Sequence, residues 1–206
     1  MSRVTELIFW INKDLVTYNI RKVNDPEIVS AINKGIEKIC SLQNVVEGEI
    51  PVTLVTGTTV YALPAYFKKA TGIVFPRGFV PHVEFMTRTQ FDQKLTHDRH
   101  LPFPKYACIK NNAFNLWGPP TSDINGSIIT IQAYFNTQIT PASLTFEPVT
   151  PLNYDTAIRY FADYYLSPID NDARDKYELE FLKQIDSLYP NLKETDTRAR
   201  APECNW

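Results

Sequence analysis

The sequence contains no apolar run of the roughly 18 residues that a membrane helix needs. Its N-terminal stretch does not read as a secretory leader, because Glu6, Asn12, Lys13 and Asp14 hem in the apolar residues 7–10. Three cysteines, Cys40, Cys108 and Cys204, are odd in number and far apart. They make no disulfide framework and point to a reducing compartment. Only seven glycines are present, and none falls in a phosphate-cradling loop, a dinucleotide fingerprint or a nucleophile elbow. No cysteine pair has zinc-site spacing. Neither sign of charge dominates, with 21 Lys and Arg against 23 Asp and Glu, so the basic footprint of a DNA-binding protein is missing.

Proline and aromatic residues are plentiful, at 15 prolines and 13% aromatics in 206 residues. Eleven of the prolines lie between Pro51 and Pro151, with six of the seven glycines falling from Gly48 onward. Helix interiors exclude proline, whereas short strands use proline and glycine as punctuation. The expected fold class is therefore α+β. Helices over residues 1–48 and 151–190 form a helical bundle, an antiparallel β domain, sandwich- or barrel-like, is inserted at 49–150, and an extended C-terminal tail covers 191–206. A sheet lying directly on the helices is the alternative.

Periodicity supports this map. A helix is expected over Val4–Asn19, capped by Ser2 or Thr5, with Leu7, Ile8, Ile11, Leu15 and Tyr18 on one face. A second begins with Asp25 as N-cap and Pro26 in the first turn, burying Ile28, Ile32, Ile36, Ile39 and Cys40. Strands are expected at 51–56 and 58–63 as a hairpin around Gly57, and at 72–75 and 79–86 about the turn 76–78. Two more, 106–110 and 113–117, flank Asn111-Asn112, and another covers 127–136. Thr87 and Gln90 resemble a capping box. Further helices span 152–166 and 172–189, the last capped by Asp170 or Asp172 and stopped by Pro190.

Candidate chemistry is sparse, and no catalytic residue, metal site or cofactor is expected. His97, Asp98 and His100 could share a metal, but no third-ligand partner or supporting shell is identifiable, so a polar loop is the better reading. His82 reads as an exposed edge residue. The sequon at Asn125 has no secretory route to make it meaningful. Charge by region says more: residues 51–151 carry 8 basic and 5 acidic groups, residues 152–190 carry 4 and 8. Asp172, Asp175, Glu178 and Glu180 would repel nucleic acid rather than grip it. Most aromatics alternate with apolar residues and read as core, not as a stacking platform for bases. The tail is the exception: Arg198, Arg200 and Trp206 are residue types enriched in interface hot spots, on a segment without periodicity, and suit docking on a partner.

An ordered series of motifs resembles the head-to-tail adaptor (connector) proteins of tailed bacteriophages. Tyr61-x-Leu63-Pro64-x-Tyr66-Phe67 is similar to that family's Y-x-L-P-x-D-F strand end, and Phe85–Phe91 to the segment that follows it. Pro104–Ile109, Asn111–Pro119 and Ile128–Phe135 match its later strands, and Asp25–Asn33 and Tyr154–Tyr160 its helices. Tyr66 stands where the family has an acidic residue. The resemblance implies a structural, non-enzymatic virion protein at the head-to-tail interface, assembled in the host cytoplasm. Its implied partners are a portal protein, a tail tube or nozzle protein, and copies of itself in a dodecameric ring. DNA would pass through that ring without sequence-specific binding, along a channel that the acidic residues 172, 175, 178 and 180 could line, and no membrane is involved. The tail with Arg198, Arg200 and Trp206 would dock on the portal or a neighbouring subunit. The alternative is a non-catalytic module whose β insert recognises a glycan or another virion component through aromatics such as Trp117.

Overall fold

Ser2 opens the first helix, its hydroxyl accepting the Thr5 N–H at 3.2 Å. Helix α1 (Arg3–Thr17) then buries Val4, Leu7, Ile8, Ile11 and Leu15 at helical spacing. This computed structural model describes the chain except residues 1, 19, 21–22, 77–82, 98–100, 139, 170 and 199–206, with residues 96–97 and 189–198 described by backbone alone. Helix α2 (Asp25–Leu42) is capped one residue earlier than expected: Asn24, not Asp25, accepts the Glu27 N–H at 2.9 Å. Asp25 instead occupies the first turn, where its charge favours the helix dipole. Seven residues from Ile28 to Cys40 form its buried face. Gly35 lets α2 approach α4 (Asp155–Leu166) closely, since a Cβ there would lie 3.4 Å from the Ile158 carbonyl oxygen.

Helix α4 also packs on α1 and on α5 (Asp172–Arg198). Asn171 supplies the α5 cap, accepting the Ala173 N–H at 2.9 Å, and Asp172 is the first helical residue; Asp170 lies outside the described residues. The expected stop at Pro190 does not occur, and the first part of the segment expected to be an extended tail is helical through Arg198. A proline here removes one N–H and so frees the carbonyl of residue 186. Asp186 is exposed, so the turn that holds this carbonyl lies at the surface. Residues 199–206 lie outside the described part.

The described residues divide into two compact units: one comprises those up to Val46 and again from Asn136 to Arg198, the other Glu47–Phe135. Among its described residues the second unit contains seven strands: β1 (Val46–Thr53), β2 (Val60–Ala62), β3 (Phe67–Val74), β4 (Glu84–Phe85), β5 (Tyr106–Lys110), β6 (Ala113–Trp117) and β7 (Ile128–Phe135). They form two sheets, in the orders β1-β7-β3 and β2-β6-β5-β4. Helix α3 (Arg88–His97) follows β4. The insert is not a barrel: grooves separate β1 from β2 and β3 from the β4 edge. Nor is it wholly antiparallel, because β4 pairs with β5 in parallel.

The hairpin expected around Gly57 is absent. Its two arms enter different sheets, β1 beside β7 and β2 beside β6. Gly57, at φ 78°, sits instead in a crossing turn where its N–H bonds the Pro120 carbonyl at 3.1 Å. Three residues of β2 cannot cover eight of β1, whereas β7 matches it in length and offers Ile129, Ile131, Ala133 and Phe135 as a buried row. The β5–β6 hairpin forms as expected. Asn111 and Asn112 both have φ 54°, the left-handed pair that a two-residue turn requires. The capping box forms too: Gln90 Oε1 accepts the Thr87 N–H at 3.0 Å, and Thr87 Oγ1 accepts the Gln90 N–H at 3.4 Å.

Gly118 has no room for a side chain. At φ 95° it passes so close to Phe103 that a Cβ would fall 1.9 Å from that carbonyl oxygen. Gly118→Ala is expected to destabilise the protein by about 3 kcal/mol, read as a lowered urea midpoint with an unchanged slope.

Candidate functional site

The buried stripe of α5 consists of Ala173, Tyr177, Phe181 and Ile185. A helix so anchored turns Asp172, Asp175 and Glu178 to solvent. Glu180 lies at the flank, where its carboxylate accepts from Lys183 Nζ at 2.7 Å. The outward face is not purely acidic, since Leu179 and Leu182 are about half exposed on it.

Beneath α5 lies a polar seam. Arg159 of α4 holds Asp14 of α1 through two hydrogen bonds of 2.5 and 2.7 Å, and its guanidinium stacks 5.2 Å from the Trp10 ring. One turn further along α4, Asp163 is completely buried; among the described residues no N–H or side-chain donor reaches its carboxyl, which instead meets the Asp14 carboxylate in a hydrogen bond that only its protonated form can make. Burial, first, and then the neighbouring Asp14 carboxylate push Asp163 up to about 9, against a smaller opposing effect of Arg159. It is therefore protonated at neutral pH. The buried Tyr177 hydroxyl, without a partner among the described residues, is raised by burial and by Asp163. Among the described residues this seam gathers no metal set.

A second polar hub fixes the 142–155 segment. The Arg3 guanidinium donates to the carbonyls of Pro148 (2.8 Å), Thr150 (2.7 Å) and Pro151 (3.2 Å) and, from Nε, to both Asp155 oxygens (2.8 and 2.9 Å). Asn33 grips Ala142 with both ends of its amide, Nδ2 donating to the carbonyl at 2.9 Å and Oδ1 accepting the N–H at 2.8 Å, and Gln138 accepts the Val149 N–H at 2.9 Å. Between these anchors Leu144, Phe146, Val149 and Leu152 stand out into solvent, none less than 56% exposed. Sequence reading missed this display. Its signal was four large apolar residues in a proline-punctuated stretch that fits neither the helical nor the strand period.

The residues singled out from sequence fare differently. Arg198 ends α5 with its side chain undescribed, and Arg200 and Trp206 lie outside the described residues, as do His82, Asp98 and His100. Among the described residues no three His, Cys, Asp or Glu side chains gather as a metal set, and no helix is long and apolar enough to cross a membrane. Trp117 is half-buried, packed on the cluster of Met86, Phe91, Tyr106 and Cys108, with its indole N–H away from solvent. It is not the exposed aromatic that a glycan platform requires. Burial pushes the Cys108 thiol up to about 11, which leaves it unreactive. Tyr66, standing in the acidic position of the adaptor motif, packs edge-on against Phe135 with centroids 5.1 Å apart.

Residues 4–203 match the family model described as SU10 adaptor protein. No curated protein matches the chain.

Proposed function

We proceed from the fact that the chain belongs to the SU10 adaptor protein family, a family of structural virion proteins, and propose that it assembles as a ring joining the portal vertex of a phage head to the tail. The observation that carries this reading is a family match spanning nearly the whole chain, both flanking helices and the β insert included. In this reading the protein carries out no catalytic step. Its work is to present one surface to a portal, another to a tail tube or nozzle protein, and a ring to the DNA. By resemblance the ring has twelve copies.

The last residues serve as the portal-side anchor, with Arg198, Arg200 and Trp206 as the contacts. Arginine, which makes charge-assisted bonds, and one large aromatic are residue types enriched in interface hot spots. Asp172, Asp175 and Glu178 contribute to the acidic character of the helical unit, which keeps passing DNA from adhering. Truncation after Arg198 is the test of the anchor. The cut leaves α5, Asp172–Arg198, in place, so the thermal midpoint stays within about 2 °C of the full chain. Attachment to purified portal falls below detection in a pull-down. Undiminished attachment of the truncated chain would remove the anchor role.

A further inference from the structure

The helices of the first unit are not all fastened in the same way. Two ion pairs tie α1 to α4, Arg3 on Asp155 at the start of α1 and Asp14 on Arg159 near its end. Helix α5 rests on α4 through its apolar stripe, with Phe181 edge-on to Phe161 at 5.2 Å between centroids. Its polar links to other helices all have an uncharged partner. Lys176 Nζ donates to the Tyr18 hydroxyl at 2.6 Å, Arg174 to the Tyr164 hydroxyl at 3.4 Å, and the Ile185 carbonyl accepts from Gln43 at 3.3 Å. Among the described residues no ion pair joins α5 to another helix.

Asp163 lies where these three helices meet. It is faced by Asp14 from α1, by Arg159 on its own helix and by Tyr177 from α5. Helix α2, which also packs on α4, contributes no titratable group there among the described residues. An ionised Asp163 would set a second negative charge against Asp14, and the Arg159 fork is already committed to Asp14. A carboxylate so placed must reach water. Opening the α1 side means breaking ion pairs; opening the α5 side breaks none. Nor does the buried Tyr177 hydroxyl hold α5 down, since it has no partner among the described residues.

We propose that the proton held between the Asp163 and Asp14 carboxyl groups latches α5, and that its loss lets α5 lift while α1 stays joined to α4. The closed form keeps this proton up to about 9, whereas a carboxyl released into water ionises near 3.8. Opening therefore releases a proton, and between those values each pH unit favours it by up to about tenfold. Helix α5 leads into the segment read above as the portal anchor, so the latch stands at the root of that anchor. The latch itself does not depend on the adaptor reading, which portal binding decides separately.

Amide hydrogen exchange of the full chain tests this, read as protection factors from about pH 5.5 to 8.5 with and without low urea. Amides at residues 176–186 are expected to exchange at least about tenfold faster than those of α1 and α2. Little dependence on low urea marks their opening as local, and it grows by up to about tenfold per pH unit. Asp163→Asn removes that pH dependence, while Tyr177→Phe leaves it in place. Residues 176–186 that share the protection and urea dependence of α2 open only with the whole protein, which overturns the latch. Opening of α1 together with α5 overturns the division between them. A local opening of α5 that ignores pH, or whose pH dependence survives Asp163→Asn, overturns the role of this proton.

Discussion

Replacing Arg3 by alanine is expected to lower the stability of the protein by about 3–5 kcal/mol, the range for removing one partner of a largely buried ion pair. The magnitude follows from how completely the guanidinium is used. Its side chain is 15% exposed and Asp155 28%. Its donors meet the Asp155 carboxylate, three backbone carbonyls and the Thr150 hydroxyl. Alanine would leave those three carbonyls without this donor and the carboxylate without its cation, and each lost charge-assisted bond contributes more than a neutral one. Arg3→Lys keeps the charge but loses the planar fork, and is expected to recover less than half of the loss. Urea denaturation reads both. An Arg3→Ala midpoint within 1 kcal/mol of wild type would show that the loop is held by other means. The same substitution unfastens the 142–152 loop, so faster amide exchange at residues 143–152 accompanies the loss.

Asp163 gives the second large effect, and its sign is opposite. The unfolded chain ionises this carboxyl near the ordinary value of 3.8, while the folded chain keeps it protonated up to about 9. Between those limits the unfolded state binds fewer protons, so stability falls as pH rises. The contribution is fully present below about pH 4 and is lost as pH climbs through 9. The groups facing Asp163 are Asp14 from α1, Arg159 on its own helix and Tyr177 from α5. Only Arg159 opposes the trend, and it is already committed to Asp14. Asp163→Asn is nearly the same shape and cannot ionise. It is expected to stabilise the protein at pH 8 by about 2 kcal/mol or more and to flatten the fall in thermal midpoint between pH 5 and 9. A variant that is destabilised at pH 8, with the wild-type slope retained, would mean that Asp163 is charged and paired in the native state.

Local chemistry was legible wherever it decided the outcome. Ser2, the Asn111-Asn112 turn and the Thr87–Gln90 box each satisfy specific backbone groups, and each lies where its residues imply. The ordered adaptor motifs were legible as well, and the family match over residues 4–203 bears them out. Long-range pairing was not. Nothing near Gly57 tells that β1 will choose β7, some 80 residues away, because that choice is made by matching buried rows across two strands. Pro190 was read as a stop because proline breaks helices on average, but the carbonyl it frees belongs to an exposed residue. The candidate surfaces were half visible. Composition picked out the acidic residues of α5, yet the leucines between them and the pinned apolar loop at 142–152 depend on which faces the core leaves uncovered. The exposed residues of that loop are anchored by Arg3, Asn33 and Gln138 from distant parts of the chain, which no local pattern encodes.

The most direct test of the adaptor function is the mass of the particle formed when the full chain is mixed with purified portal. An adaptor predicts one discrete complex whose mass is the portal plus an integral ring of this chain, twelve copies by family resemblance. Portal and chain that migrate as separate species at every mixing ratio would contradict it.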